Sequence, residues 1–336
     1  MDKDAWQIAI VFAGSALGVS YLGGYEWLHF FTYFGSWGTI GIILVSLGMG
    51  WLGYSVLTLC HRIGARSVYD LYLYLFGEAM AASLSVVTHL LVVAYAGVML
   101  SQQASNLIDG LSPLWFILLS ILIGIVFIMR RWKWIVSGMA ISLGVGVLFF
   151  GVIFFEQFHV PIPSLGYQMN LNWLVHSVFY LALHTLLCVV VAIPVAGRSD
   201  SEKTIQLGVG LATAFFFGLA ILGQAILLAY WHDVHASALP TKQILMQLIP
   251  LGDWLLVLLS LAHGGIMIAT IVYTLAAPVA QRHDLQFVPI VVVLLSMILL
   301  VSLVPLALPW TVSFIASGAT YCGLLVFVRF IWKRQS

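Results

Sequence analysis

The chain is poor in charged residues and in cysteine. Only 7% of its 336 residues are charged, whereas 62% are hydrophobic and the mean hydropathy is +1.09. This leaves too little polar surface to cover a water-soluble globule of this size. The three cysteines, Cys60, Cys188 and Cys322, lie in apolar stretches, and their odd number gives no sign of a disulfide framework. The composition therefore predicts an integral membrane protein with membrane lipid as its surroundings.

A concentrated patch of one charge is also missing. Thirteen Lys and Arg residues nearly balance twelve Asp and Glu residues, so the formal net charge is +1. Because the basic residues are spread over short segments, nucleic acid is not an expected partner. The sequence has no phosphate-cradling loop and no nucleophile motif. We therefore do not expect an enzyme, and we expect no cofactor and no metal ion.

Ten apolar stretches are long enough to form membrane-spanning helices. They cover 6 to 31, 37 to 60, 78 to 102, 112 to 129, 134 to 155, 173 to 196, 204 to 231, 251 to 278, 287 to 307 and 310 to 331. The remaining residues are too few for a separate soluble domain. We therefore predict an all-α membrane protein with a single transmembrane domain over 1 to 336.

Basic residues fall in alternate gaps between these spans. Twelve of the thirteen lie in the gaps after spans 2, 4, 6 and 8 or at the two termini, and only Lys242 lies elsewhere. Cationic segments close to span ends are retained in the cytoplasm. Both termini are therefore predicted to be cytoplasmic, which agrees with an even number of crossings.

The longest polar interval, Glu156 to Asn172, divides the spans into five plus five. Five crossings per half make the second half enter from the opposite side, so any duplication must be inverted. We predict inverted repeats over about 5 to 155 and about 173 to 332. This is an architecture of secondary transporters. A short interfacial helix is also predicted between spans 2 and 3, from Ser67 to Phe76.

Span 1 is rich in glycine and serine at membrane depth. The twelve residues from 13 to 24 include four glycines and two serines, namely Gly14, Ser15, Gly18, Ser20, Gly23 and Gly24. Each glycine weakens a helix by about 1 kcal/mol relative to alanine. Local unwinding is tolerated in a bilayer only where the freed backbone faces protein, water or ligand. The alternative is close helix packing through small residues, from Gly14 to Gly18. We favour unwinding, and with it a binding site.

Glu26 is the only carboxylate that we place inside a span, since Glu78 and Asp253 belong to span ends. A carboxylate inside the bilayer is costly to ionise and tends to exchange protons, as proton relays do. His29 follows one helical turn later and is a candidate partner. Glu26 and His29 are therefore our candidates for proton coupling.

Four further histidines, His89, His176, His184 and His263, fall within or near the bilayer. His176, Tyr180 and His184 recur every four residues in span 6 and share one helical face, which we expect to point into the bundle. For each of them, a hydrogen bond to a nearby carbonyl is an equally good interpretation.

The residues of span 1 carry a resemblance to a known family. Ala13 to Ser20 resembles the first-helix break of LeuT-fold transporters. The longer run from Gly14 to Gly41 resembles the YkvI-like bacterial membrane proteins; it includes Gly24-Tyr25-Glu26 and Phe31-x-x-Phe34-Gly35-x-x-Gly38-x-x-Gly41. The family is placed in the amino acid, polyamine and organocation superfamily. The resemblance implies a multi-pass protein of the bacterial cytoplasmic membrane with a central site lined by spans 1, 3, 6 and 8.

The resemblance also implies particular roles. The polar head of a small solute would meet Gly14, Ser15, Ala16, Leu17, Gly18 and Tyr21 of span 1, faced by Tyr180, His184 and His263. The carbonyls of Gly14 and Leu17 would border the usual sodium position. Span 8 reads Leu261-Ala262-His263-Gly264-Gly265-Ile266, which offers no side-chain oxygen to sodium. The family pattern implies a second interruption in span 6, although span 6 has no glycine there.

Three functions are consistent with these features. The leading hypothesis is a secondary active transporter, a symporter of an amino acid or a related small solute, driven by protons through alternating access. The first alternative is a ligand sensor that keeps the same fold and moves nothing. The second is a haem or transition-metal protein that uses His89, His184 and His263.

Overall fold

In the computed structural model, the described residues are 2–107, 112–157, 159–160 and 171–335, and their regular secondary structure is helical. The α-helices are α1 Lys3–Leu17, α2 Tyr25–Phe30, α3 Ser36–Arg62, α4 Val68–Phe76, α5 Glu78–Leu107, α6 Pro113–Met129, α7 Trp132–Glu156, α8 Asn172–Ala196, α9 Glu202–Ala229, α10 Trp231–Val234, α11 Pro240–Leu248, α12 Gly252–His283, α13 Phe287–Ala307 and α14 Thr311–Gln335. Two short 3-10 turns, Tyr21–Gly23 and Thr32–Phe34, flank α2.

Eight of the described helices are long and apolar enough to cross a membrane, namely α3, α5, α7, α8, α9, α12, α13 and α14. Helix α6 is apolar but has 17 residues, and α1 ends after 15 residues. The prediction of an all-α, multi-pass membrane protein is confirmed. The count of ten crossings stays a prediction. Most of the polar interval between α7 and α8, on which the division into halves depends, lies outside the described residues.

Helices α8 and α12 form the centre of the bundle. In each, 78% of the most apolar segment is buried, against 22% in α13. Helices α1, α3, α8 and α9 pack against one another as one group. In a second group, α12 packs against α6, α7 and α13, while α5 packs against α13 and α14. Helix α1 therefore ends at the centre of the protein, where both groups meet.

Several basic segments meet at one end of the bundle. Arg62 at the end of α3 binds Glu202 at the start of α9, with 2.7 Å between Nε and Oε1. Arg282 of α12 binds Asp70 of α4 at 3.0 Å. Helix α4 is the predicted interfacial helix, and its start is stabilised by a capping box between Ser67 and Asp70. The basic gaps after spans 2, 6 and 8 thus share one face.

Span 6 differs from its prediction. Helix α8 runs without interruption from Asn172 to Ala196, so the break that the family pattern implied there is wrong for this chain. The physical reason is composition, because α8 contains no glycine that would favour a positive φ angle within it. The central site therefore has one broken helix, in span 1.

Candidate functional site

Span 1 is interrupted between two glycines that adopt positive φ angles. Helix α1 stops at Leu17, and Gly18 has φ 76° and ψ −179°. The 3-10 turn Tyr21–Gly23 follows, and Gly24 has φ 76° before α2 begins. Side chains other than glycine rarely adopt these angles, which explains glycine at both ends of the break. The prediction of an interrupted first span is confirmed.

The break lies further along the chain than predicted. Gly14, Ser15, Ala16 and Leu17 remain α-helical, and the Gly18 amide still donates to the Gly14 carbonyl at 3.1 Å. A Cβ atom on Gly14 would lie 2.6 Å from the Met139 sulfur, so this glycine allows α1 to approach α7. The packing interpretation is therefore correct for Gly14, and unwinding is correct from Gly18 onward.

Gly18 lies between Glu26 and His184. A Cβ atom on Gly18 would be 3.3 Å from both Glu26 Oε2 and His184 Cε1. His184 Nε2 lies 3.8 Å from Glu26 Oε2, which is too long for a direct hydrogen bond. Both side chains are at most 5% exposed. The chain thus brings a buried carboxyl group and an imidazole to the unwound segment, and both can come this close because Gly18 has no side chain.

Two tyrosines support this pair. Tyr95 of α5 donates a hydrogen bond of 2.5 Å to Glu26 Oε1. Tyr180 of α8 donates to the Ala16 carbonyl at 3.0 Å and stacks on His184, with ring centroids 3.9 Å apart and 13° between the planes. Tyr180 therefore fixes the imidazole against the end of α1, and Tyr95 fixes one carboxyl oxygen of Glu26.

His263 binds the backbone of the break directly. Its Nε2 lies 3.0 Å from the Gly18 carbonyl and its Nδ1 lies 2.8 Å from Ser142 Oγ. Because a carbonyl can only accept, Nε2 carries the proton, and in the neutral ring Nδ1 accepts from the Ser142 hydroxyl. Tyr21 contacts this imidazole edge-on at 4.6 Å. His263 thus stabilises the unwound backbone on the side of α12.

Several buried polar atoms around the break make no hydrogen bond with any described residue. They are Ser15 Oγ, Tyr21 Oη, Glu26 Oε2, Trp27 Nε1 and both ring nitrogens of His184. Buried polar atoms are normally paired, and exceptions often mark functional positions. Together they offer a carboxylate acceptor, two hydroxyl groups, an indole donor and two imidazole positions to a polar ligand.

Two other histidines lie apart from this cluster. His29 Nδ1 interacts with the Tyr25 carbonyl at 2.9 Å, and the His29 ring contacts the Tyr25 ring with centroids 3.9 Å apart and the planes tilted by 32°. His89 Nδ1 lies 2.6 Å from the Ser85 carbonyl. Within the described ranges, no group of three or more His, Cys, Asp or Glu residues could hold a metal ion. The proposed ligand set of His89, His184 and His263 is therefore not brought together there.

Sequence reasoning missed Tyr95 and Ser142. Both lie in apolar spans where a single tyrosine or serine is unremarkable, and both act on residues far away in the chain. The only clue to them in the sequence is that Tyr95 lies in span 3 and Ser142 lies in span 5. Tyr95 lies in span 3, one of the four spans that the family resemblance places around the site.

Comparison with known proteins supports the resemblance to the YkvI-like membrane proteins. The chain is 26% identical over 247 residues to the uncharacterized membrane protein YkvI of Bacillus subtilis, covering 71% of each chain. No protein-family profile matches it.

Similar solved structures extend over nearly the whole chain. One is a Na⁺-coupled sialic acid symporter in a substrate-bound outward-open state, with a TM-score of 0.69, 14% identity and coverage of 96% of this chain and 78% of the symporter. The fold is that of the LeuT-fold transporters. MhsT in complex with L-phenylalanine has a TM-score of 0.65 at 14% identity, with coverage of 97% and 88%. A manganese transporter of Eremococcus coleocola has a TM-score of 0.58, also at 14% identity, with coverage of 97% and 76%.

These LeuT-fold structures are of membrane transporters and not of enzymes. At this level of identity they establish only the fold of the chain. Its solute and coupling ion have to be inferred from its own residues. The predicted resemblance of this chain to the YkvI-like membrane proteins and to LeuT-fold transporters is confirmed.

Proposed function

We propose that the chain is a secondary active transporter of a small polar organic solute, an amino acid or a related compound, coupled to protons. The observation that carries this proposal is the buried meeting of Glu26 and His184 at the unwound Gly18. Such proteins bind their solute in the core of the helix bundle, away from lipid, at an unwound helix that lies beside a titratable group.

The packing of the helices supports ten crossings in two inverted halves. In this arrangement α1 and α2 together form the first crossing, and α6 forms the fourth. Each crossing of the first half corresponds to the crossing five places later. Helix α1 therefore corresponds to α8, α3 to α9, α5 to α12, α6 to α13 and α7 to α14. The contact of α1 with α9 then corresponds to that of α8 with α3, and α1 with α7 to α8 with α14. The contact of α5 with α13 likewise corresponds to that of α12 with α6. Such pairing is expected of a duplicated fold.

Glu26 is the proposed proton-coupling group. One of its oxygens is satisfied by Tyr95, while Oε2 has no hydrogen bond to the residues that the structure describes and faces His184 at 3.8 Å. An ionised carboxylate with so few partners is costly inside a bilayer, so its charge should change as the solute and the proton bind and leave. His29 keeps a secondary role in this proposal, as a group that exchanges protons nearer to the end of α2.

His263 offers a reason for a coupling ion other than sodium. Its imidazole donates to the Gly18 carbonyl, which occupies one of the backbone oxygens next to the break, and hard cations such as sodium need oxygen ligands. The symporter of sialic acid is Na⁺-coupled, whereas α12 of this chain has His263, Gly264 and Gly265 at its centre. We therefore propose that a proton on this network replaces the metal cation.

The solute is proposed to bind beside Gly18. Glu26 Oε2 would accept hydrogen bonds from it, while Ser15 and His184 could donate or accept. The side chains of Tyr21 and Tyr180 would close the site on two sides. A solute with both donor and acceptor groups fits this set, which agrees with an amino acid or a relative. The basic face is proposed to be cytoplasmic.

The test is uptake by the purified protein in proteoliposomes. A panel of small metabolites is first screened for thermal stabilisation, since a ligand that binds the native state raises its apparent stability. Uptake of the stabilising solute is then measured under an inward proton gradient and under an inward sodium gradient. We expect uptake to follow the proton gradient in the native protein and in Glu78→Gln, an exposed carboxyl control, but not in Glu26→Gln.

Two outcomes would contradict the proposal. Uptake that depends on sodium alone would remove Glu26 from its role. Saturable binding of the solute without any flux would favour the sensor hypothesis, because a sensor needs the same site and no alternating access.

A further inference from the structure

An apolar groove lies on the surface of the bundle between α6, α12 and α13. It has a volume of about 690 Å³ and lies where α6 and α12 end and α13 begins. This volume is typical of a ligand pocket. None of the residues around the span 1 break lines the groove. The groove is therefore separate from the site proposed for the solute.

The groove is apolar at its floor and along its edges. Ile128 of α6, Ala280 of α12 and Leu295 of α13 line the floor and are each at most 9% exposed. Met129 and Val288 line the edges and are 78% and 67% exposed. No polar group has to be desolvated along these walls when a hydrocarbon chain covers them. They are therefore suited to an acyl chain.

Aromatic side chains mark the depth of the groove in the membrane. Tyr273 of α12 lines it, stacks on Trp132 with ring centroids 5.5 Å apart, and contacts Phe287 edge-on at the same distance. Trp and Tyr side chains favour the level of the lipid headgroups. From Phe287 to Leu295 the groove follows α13 for about 12 Å, at 1.5 Å per residue. The groove thus extends from headgroup level into the acyl-chain region.

A cation stands at the headgroup end of the groove. Arg131 lines the groove, is exposed, and makes no ion pair with any residue that the structure describes. Arg130 and Lys133 lie beside it, and the connection from α6 to α7 contains no acidic residue. No Asp or Glu among the described residues lines the groove either. The charge at this end is therefore complementary to an anion.

The backbone of Arg131 also points to a role for its side chain. Arg131 adopts φ 74°, an angle that residues other than glycine rarely adopt. A glycine would relieve this strain at the start of α7, yet the chain has an arginine there. Strained positions of this kind are common where a side chain has a function.

We propose that this groove binds an anionic phospholipid, with an acyl chain against the apolar walls and the phosphate group beside Arg131. The planar guanidinium group matches the paired oxygens of a phosphate. Basic pockets between transmembrane helices bind such headgroups. A zwitterionic headgroup has a cation of its own next to the phosphate, so it should bind more weakly.

The experiment measures lipid binding by the full-length protein in neutral detergent. Native mass spectrometry counts retained lipid after addition of phosphatidylglycerol or of phosphatidylcholine with the same chains, and thermal unfolding measures the stabilisation. Glycerol 3-phosphate, which has the phosphate and no chains, is the third probe. The variants are Arg131→Gln and Ala277→Phe, which places a ring in the groove.

Each variant has a matched control. Arg130→Gln removes the adjacent cation, which does not line the groove. It lowers the general attraction to anionic lipid by the same charge. Ala307→Phe adds the same ring at an exposed alanine at the other end of α13.

We expect the native protein to retain phosphatidylglycerol in preference to phosphatidylcholine. Arg131→Gln should weaken phosphatidylglycerol binding about fivefold, as expected for one cation beside an anionic lipid. Ala277→Phe should abolish the preferential retention, and both controls should keep it.

Three results would overturn the proposal. They are equal retention of the two lipids by the native protein, equal weakening by Arg130→Gln and Arg131→Gln, and stabilisation by glycerol 3-phosphate as large as that by phosphatidylglycerol. Arg131→Gln changes an exposed side chain and keeps the same backbone strain. Its result therefore stands even where Ala277→Phe does not fold.

Discussion

Replacing Gly18 by alanine tests the central interpretation most directly. The added methyl group would enter the space between Glu26 and His184, 3.3 Å from an atom of each. It would also force a non-glycine residue to adopt φ 76° and ψ −179°. Backbone conformations of this kind cost about 1 to 3 kcal/mol for residues other than glycine. Two effects are therefore expected, a loss of stability and a blocked site.

Gly77 provides a control that separates the two effects. Its backbone angles, φ 79° and ψ 175°, are nearly those of Gly18. A Cβ atom on Gly77 would meet nothing within 4 Å, because it lies at the exposed end of α4. Gly77→Ala should therefore lower the free energy of unfolding by the same 1 to 3 kcal/mol or so, with no effect on the site.

The assay combines thermal unfolding with solute binding and uptake. Both variants should melt at lower temperatures than the native protein. Only Gly18→Ala should lose the stabilisation by the solute and the proton-driven uptake. If Gly18→Ala binds and transports as Gly77→Ala does, the space beside Gly18 is not the binding site and the reasoning fails.

Three further predictions follow from the same contacts. Glu26→Gln keeps the size of the side chain but cannot exchange a proton, so we expect a nearly native melting temperature and uptake that no longer responds to pH; uptake that still follows the proton gradient would exclude Glu26 as the coupling group. His263→Leu leaves the buried Gly18 carbonyl without its donor and should lower the free energy of unfolding by about 1 to 3 kcal/mol; an unchanged thermal transition would contradict the assigned hydrogen bond. A double-mutant cycle on the exposed pair Arg62 and Glu202 should give a coupling energy of at most about 1 kcal/mol that shrinks at high salt; a larger, salt-independent value would mean that the pair is effectively buried.

The glycines of span 1 illustrate how two interpretations of one motif can both be correct. Gly14 serves close packing against Met139, whereas Gly18 and Gly24 serve the break. The difference depends on what faces each residue, because a neighbouring side chain requires glycine at one position and the backbone angles require it at another. Sequence spacing contains no information on that choice.

His29 and His184 show the same limit. Both were candidates because of their position within or near the bilayer. In the structure His29 interacts with the carbonyl of Tyr25 one turn earlier, while His184 comes within 3.8 Å of Glu26 from a different helix. Periodicity indicated that Tyr180 and His184 share a face, and it could not indicate that this face meets the end of α1.

The sequence by itself determined the membrane class, the approximate positions of the long apolar helices and the presence of an interruption in span 1. Helix α13, for example, was predicted at 287 to 307 and is observed at Phe287–Ala307. The bilayer makes this possible, because it demands apolar segments of a set length whose backbone groups bond within the helix. The tertiary structure alone decided that Tyr95 binds Glu26, that Ser142 and His263 hold the Gly18 carbonyl, and that α8 is unbroken. These contacts join residues far apart in the chain, and their partners are set by how the helices pack rather than by the pattern within any one of them.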